Sequence, residues 1–375
     1  MVLLNKILWK AGILAPPIKN MAQSIVEPFE HGLRNTKCGL RDVWHDWSGS
    51  PLNTHEHSNS VEFILPWKFL LPRPENVNSA YTFMANYSSW LVEHLQKNGK
   101  KVVPIVNFGN WTTQPPRQTS HRISWHSRGS STRHLHLKIG TYPEHVSIDP
   151  SGFSGWSTFA TRGNFDDENQ THSNRHFCEL SDSIIRAKVS KYAQPTGAVV
   201  TEEPGYIFLA MQMPSDVVAE LADINTIDLL KSVAQISYET SKRVIVKRHP
   251  KCKNRKINSV IEHLKGHRFL KFSHGNIHDL IRQSDMVITV NSGVGAEALL
   301  HKKMVVTTGA SDYGQATTRV RTYSELRRVI LSRNEDANTA LLERFISAYT
   351  RNYMVRFGDD RSLQKHHALN NFLEG

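Results

Sequence analysis

Between residues 205 and 335 the chain alternates short apolar runs with amphipathic stretches, and few folds accommodate that pattern. YIFLAMQ (206–212), RVIVK (243–247), RFLKF (268–272), MVITV (286–290) and MVVTT (304–308) read as strands. Helical periodicity falls between them, at 216–240, 256–265, 276–284 and 294–302. Strands separated by helical crossovers pair in parallel, and the crossovers are right-handed. This segment is therefore expected to be a doubly wound, Rossmann-like domain, with any ligand at the carboxyl ends of its strands.

A length of 375 residues leaves room for a second domain. Upstream, SSWLVEHLQKNGKKVVPIVNFG (88–109) reads as a helix, a Gly turn and a strand, and HLHLKIG (134–140) as another strand. The stretch YAQPTGAVVTEEPG (192–205) carries Pro, Gly and a change of texture, as an interdomain hinge would. The expected fold is α/β, with two Rossmann-like domains facing a cleft. Its divisions are 1–195, 196–335 and a helical tail, 336–375, that packs back on the first domain.

Forty-six Lys and Arg against 34 Asp and Glu give a net charge of +12, which favours a polyanionic partner such as phosphate, acidic sugar, an anionic membrane face or nucleic acid. No zinc-finger, RRM or helix-turn-helix signature supports nucleic acid. Cys38, Cys178 and Cys252 are too few and too scattered for a disulfide framework or a metal knuckle, which fits a reducing, cytoplasmic setting. In the first 20 residues Lys6, Lys10 and Pro16-Pro17 interrupt the apolar run, so a simple membrane span is not expected. Three readings remain for it: a basic amphipathic helix on an anionic membrane, a terminal helix packed on its own domain, or a weak signal peptide. His55 with His57, and His134 with His136, lack metal-site spacing, so no metal is expected.

Three segments carry candidate chemistry. In RVIVKRHPKCKNRK (243–256) a strand runs into Lys247, Arg248, His249 and Pro250, and six basic residues occur from Lys247 to Lys256 without an acid. That is a field suited to phosphate. In DMVITVNSGVGAEALL (285–300), Asn291, Ser292, Gly293 and Gly295 join a strand to a helix. There a hydroxyl, a close backbone approach and helix N–H groups can meet an anion, while Glu297 can accept ribose hydroxyls or cap a loop. Gln212 and Asp216 flank the end of the first strand and can bond a sugar or base edge, although Asp216 also suits a helix start. A further loop, 140–157, is rich in Gly, Ser and aromatics, with Trp156 as a stacking platform for sugar.

The His-Pro pair after a strand, the Asn-Ser-x-x-Gly-x-Glu-Ala-Leu run and GASDYG (309–314) together resemble the capsule polysaccharide biosynthesis family, best known for Kdo transferases. Gln212–Asp216 and IDPSGFSGWS (148–157) look like further landmarks. The resemblance covers roughly residues 135–315 and implies a metal-independent GT-B glycosyltransferase. It would have no cofactor beyond a CMP-activated acidic sugar as donor, with a glycan or glycolipid as acceptor. It also implies that His249 contacts the donor phosphate, and work at the inner face of the cytoplasmic membrane would follow. One departure stands out: Lys138 occupies the place of an acid commonly found two positions before the Gly140-x-x-Pro143 element. The carboxylate duty then falls to Asp149 or Glu144, or the mechanism differs, or else the chain binds an acidic glycan or nucleic acid without catalysis.

Overall fold

The structure, a computed structural model, describes residues 60–66, 80–107, 121–163, 165, 168–195, 203–332 and 338–374. The N-terminal amphipathic segment, Cys38 and the His55/His57 pair lie outside these residues. The described chain divides into two compact units. One holds the residues up to Ile139, Val146–Gly152 and Arg356 onward; the other holds Gly140–His145 and Phe153–Val355.

The first unit contains β1 (Ser60–Pro66), α1 (Ala80–Lys97), β2 (Lys101–Asn107), β3 (His121–Trp125), β4 (His134–Ile139) and most of β5 (His145–Asp149). β2, β1, β3 and β4 pair in parallel in that order, and β5 closes antiparallel on β4. α1 turns Met84, Tyr87, Leu91 and Leu95 inward at helical spacing, and Ser88 accepts a 2.9 Å bond from the indole N–H of buried Trp125. Polar residues are also enclosed here. Arg122 on β3 meets Glu62 on β1 at 2.5 Å. His134 and His136, on the same side of β4, have ring centroids 4.1 Å apart with planes tilted by 38°, and they bond to Ser124 and Ser127 at 2.6 and 2.7 Å.

In the second unit the elements are α2 (Thr158–Arg162), α3 (Gln170–Arg186), β6 (Tyr206–Ala210), α4 (Thr226–Thr240), β7 (Val244–Lys247), α5 (Arg255–His263), β8 (Leu270–Phe272), α6 (Ile277–Gln283), β9 (Ser284–Thr289), α7 (Val294–Leu300), β10 (Met304–Thr307), β11 (Thr318–Arg319), α8 (Tyr323–Leu331) and α9 (Thr339–Ala348). β12 (Met354–Arg356) lies where the chain leaves this unit, and α10 (Asp360–Gln364) and α11 (His367–Glu374) follow. The second sheet runs β8-β7-β6-β9-β10-β11, parallel at every pairing. Counted from its own first strand this is the order 3-2-1-4-5-6 of a dinucleotide-binding sheet, and its direction reverses between β6 and β9. α4 shows why the crossovers are helical: Asn225 caps the N–H groups of Ile227 and Asp228, and Leu229, Leu230, Val233, Ala234 and Ile236 face the sheet.

The expected strands and helices of this unit are present within a few residues, except that 216–240 splits into a 3₁₀ turn, Val217–Leu221, and α4. Two expectations of organisation are corrected. Residues 153–195, assigned in advance to the first domain, belong to the second unit, where Gln170 and Asn174 of α3 bond Glu343 of α9 at 2.8 and 3.0 Å. The stretch 192–205 therefore has the same unit on both sides and is not the interdomain crossing. Of the tail, only Arg356 onward returns to the first unit, where the Lys100 ammonium donates to the Leu373 carbonyl at 2.6 Å.

Burial holds His134 at about 3 and His136 at about 4, far below a free imidazole. Both rings are neutral when folded, whereas in the unfolded chain they protonate near 6.5. Their contribution to stability is full above pH 6.5 and drains as pH falls towards 4, by up to about 1.4 kcal/mol per pH unit for each ring. In an NMR titration the two rings are expected to show no protonation between pH 8 and 5.5. A midpoint near 6.5 for either would contradict their enclosure.

Candidate functional site

The carboxyl ends of β6, β7 and β9 lie side by side, and each delivers residues singled out from the sequence. Gln212 follows β6 and Asn291 follows β9, across the point where strand order reverses. Both are buried, at 4 % and 5 % exposure, and the Asn291 backbone N–H donates to Gln212 Oε1 at 3.2 Å. The Asn291 amide also donates to the carbonyls of Val218 (2.8 Å) and Ala310 (3.0 Å). These two side chains thus form the floor of the crevice rather than its rim. Asp216 is half-buried and caps the Val217–Leu221 turn through Val218 N–H at 3.4 Å.

Ser292 is half-buried at the start of α7, its hydroxyl only 3.4 Å from Val294 N–H. Its carbonyl accepts from Gly295 N–H at 2.9 Å and from the Tyr313 hydroxyl. The two glycines serve packing. A Cβ on Gly295 would stand 2.6 Å from the Tyr313 ring, and one on Gly293 would stand 3.0 Å from the Thr141 hydroxyl. So the backbone approach expected to admit an anion is made instead by protein side chains. Tyr142 reinforces it, donating to the Ala296 carbonyl at 2.9 Å.

After β7, Lys247, Arg248 and His249 are half-buried and Pro250 is exposed. The Lys247 ammonium donates to the Gly275 carbonyl and, at 3.3 Å, to Gln194 Oε1. Arg248 reaches Cys252 Sγ at 3.7 Å. His249 Nδ1 accepts from Lys251 N–H at 3.2 Å, so the neutral ring carries its proton on Nε2. Burial pushes this imidazole below its ordinary value; Asp216 opposes that push, and Lys251 and Lys191 add to it.

Glu297, on α7, is 3 % exposed, and burial pushes it up to about 7 against the Ser190 hydroxyl, the ammonium groups of Lys191 and Lys247, and Lys191 N–H. It is a cap for a neighbouring loop, one of the two roles expected of it. That loop, Ser190–Gln194, is the part of the site that sequence reasoning missed, because Pro195 and the glycines beyond it read as a hinge. A Tyr and a Gln amid otherwise loop-like residues were the available signal.

The loop 140–157 does not act as one piece from the first unit. Gly140–His145 and Phe153–Ser157 belong to the second unit, and a Cβ on Gly155 would stand 2.5 Å from Ala310. Trp156 is half-buried, edge-on to Phe153. Asp149, the first choice for a catalytic carboxylate, is 1 % exposed, with Oδ1 accepting from Ser151 and Gly152 N–H at 2.8 and 3.1 Å. It closes a turn, as an Asp before Pro commonly does. Glu144 is exposed, in the left-handed region at φ 62°. Among the described residues no group of three or more His, Cys, Asp or Glu could hold a metal ion, and no helix is long and apolar enough to cross a membrane.

Comparison with known proteins places this geometry. Residues 203–351 match the family model described as capsule polysaccharide biosynthesis protein. That segment, less than half of the chain, is similar to the capsule polysaccharide biosynthesis family. Protein FixF of Sinorhizobium fredii is 27 % identical over 267 residues, which are 67 % of this chain and 61 % of FixF, so the match spans less than two thirds of that relative. Among solved structures, the beta Kdo 2,4 transferase of Thermosulfurimonas dismutans KpsC superposes with a TM-score of 0.51 at 18 % identity, covering 86 % of this chain and 100 % of that one. The beta Kdo 2,7 transferase of the same KpsC gives 0.45 at 16 %, over 84 % and 98 %. The fold is the GT-B fold, as the resemblance implied.

Asn291→Ala strips the partner from the buried Val218 carbonyl and from the part-buried Ala310 carbonyl, and is expected to destabilise the protein by roughly 2–4 kcal/mol. Ser292→Ala should stay within about 1 kcal/mol, since its hydroxyl makes one long bond. Urea unfolding of both variants checks the contrast; equal losses would place Ser292 in the floor beside Asn291.

Proposed function

We propose that the chain is a metal-independent glycosyltransferase that takes an acidic sugar from a CMP-sugar and passes it to a glycan or glycolipid acceptor. The observation that carries this reading is the donor face formed by the Lys247 and Arg248 cations and the neutral His249 ring beside the strand-order reversal, in a segment similar to the capsule biosynthesis family. The reading also draws on the Kdo transferase relatives, whose fold this chain shares.

In this reading the donor phosphate lies over the ends of β7 and β9. As the bond from sugar to CMP breaks, negative charge grows on the departing phosphate. His249 Nε2–H, the Lys247 and Arg248 cations and the Ser292 hydroxyl meet it there, each aligned donor contributing roughly 2–4 kcal/mol in the transition state. Asp216 takes a ribose or base hydrogen-bond donor at the other side of the crevice. Glu144 activates the acceptor hydroxyl, being the reachable one of the two carboxylates considered; Asp149 is held inside a turn. Basic surface would bring the protein to an anionic membrane carrying lipid-linked acceptor.

A thermal-shift screen over CMP, UDP and GDP tests the donor class. Saturation by CMP to 100 times its Kd corresponds to about 2.7 kcal/mol of added stability. The shift should be largest for CMP and fall by more than half in His249→Ala, whereas a shift equal for all three nucleotides would defeat the CMP assignment. For the carboxylates, Glu144→Gln should retain CMP binding and lose most transfer, while Asp149→Asn should lower the melting temperature and leave kcat largely intact. The reverse pattern would return the catalytic duty to Asp149.

A further inference from the structure

We infer that Tyr192 is a positioning residue that fixes the orientation of both His249 and Lys251 at the mouth of the second unit's crevice. The inference rests on the donor reading above only for what the oriented pair then binds. Tyr192 is half-buried and meets the His249 ring edge to face, centroids 5.0 Å apart and planes at 79°. The Lys251 ammonium sits over the same ring, 4.9 Å from its centroid. Lys251 and His249 are themselves joined, since Lys251 N–H donates to His249 Nδ1. One aromatic ring therefore contacts both members of the pair whose free donors, imidazole Nε2–H and ammonium, are available to an anion.

The segment that carries Tyr192 is secured on both sides. Before it, the Val189 carbonyl bonds the His278 ring at 2.8 Å, and Glu297 holds Ser190 and Lys191. After it, Gln194 Oε1 accepts from Lys247 Nζ at 3.3 Å and from Ile277 N–H at 3.1 Å. Buried Glu297 and the bonded Gln194 amide oxygen thus hold the segment that places the ring against His249. The contacts use the face and edge of the ring, so the hydroxyl is dispensable and Phe should serve. Loss of the ring would rehydrate His249, and among the charges around it Asp216 favours protonation while Lys251 and Lys191 oppose it.

The test is long-range nitrogen NMR on the histidine-labelled full chain, with CMP titrated by calorimetry. Wild type and Tyr192→Phe should show His249 as the Nε2–H tautomer, titrating below 6.5, with CMP affinities within about twofold of each other. Tyr192→Leu should mix the tautomers, move the midpoint up towards 6.5 and weaken CMP binding about five- to tenfold. A Leu variant with the wild-type tautomer and midpoint overturns the inference, and so does a Phe variant as impaired as Leu. Should Tyr192→Leu fail to fold, the wild-type chain still decides: nuclear Overhauser contacts between the Tyr192 ring and the carbon-bound ring protons of His249 support the inference, and the absence of any such contact overturns it. If wild type ignores millimolar CMP while its His249 tautomer and ring contact are as stated, the donor reading falls and the positioning role stands.

Discussion

Parallel pairing of Tyr206–Ala210 with Ser284–Thr289 is the constraint on which the rest of the second unit depends. These strands are neighbours in space but far apart in sequence, and each runs outward to a different half of the sheet. Their crossovers leave on opposite faces, so a crevice opens where they part. Polar side chains must close its floor, because the backbone groups just beyond a strand end have no ladder partner. Gln212 and Asn291 do this, and their burial follows from the task. What remains for a ligand is the half-buried shell above them: Asp216, Lys247, Arg248, His249 and Ser292.

Charge in that shell is managed by enclosure as much as by composition. Glu297 is pushed up to about 7 by burial, against the pull of the Ser190 hydroxyl and of the Lys191 and Lys247 cations around it. Its folded value lies above that of a free carboxylate, so its own effect on stability is opposite in sign to that of His134 and His136: stability lost as pH rises from about 4.5 to 7.

Much of the second unit was legible because parallel strands buried on both faces leave continuous apolar runs, and such runs mark RVIVK and MVITV plainly. The candidate phosphate face was legible for the same reason, since residues after such strands must lie at the ligand end. The unit boundary was not. Gly140–His145 leaves one compact unit and returns within six residues, and local composition carries no trace of so short an excursion. Nor does a sequence distinguish a Gly that admits a ligand from one that admits Tyr313. Asp149 illustrates a third limit: a carboxylate before Pro has the same letters whether it faces substrate or folds back on two N–H groups.

Hydrogen–deuterium exchange of the full chain with and without saturating CMP tests the central claim most directly, because it reports where the nucleotide acts. Slowed exchange is expected in three peptides together, around Met211–Asp216, Lys247–Cys252 and Val290–Glu297, which are adjacent only at the carboxyl ends of β6, β7 and β9. Protection confined to the first unit, or no protection at saturation, would contradict a donor site on this face.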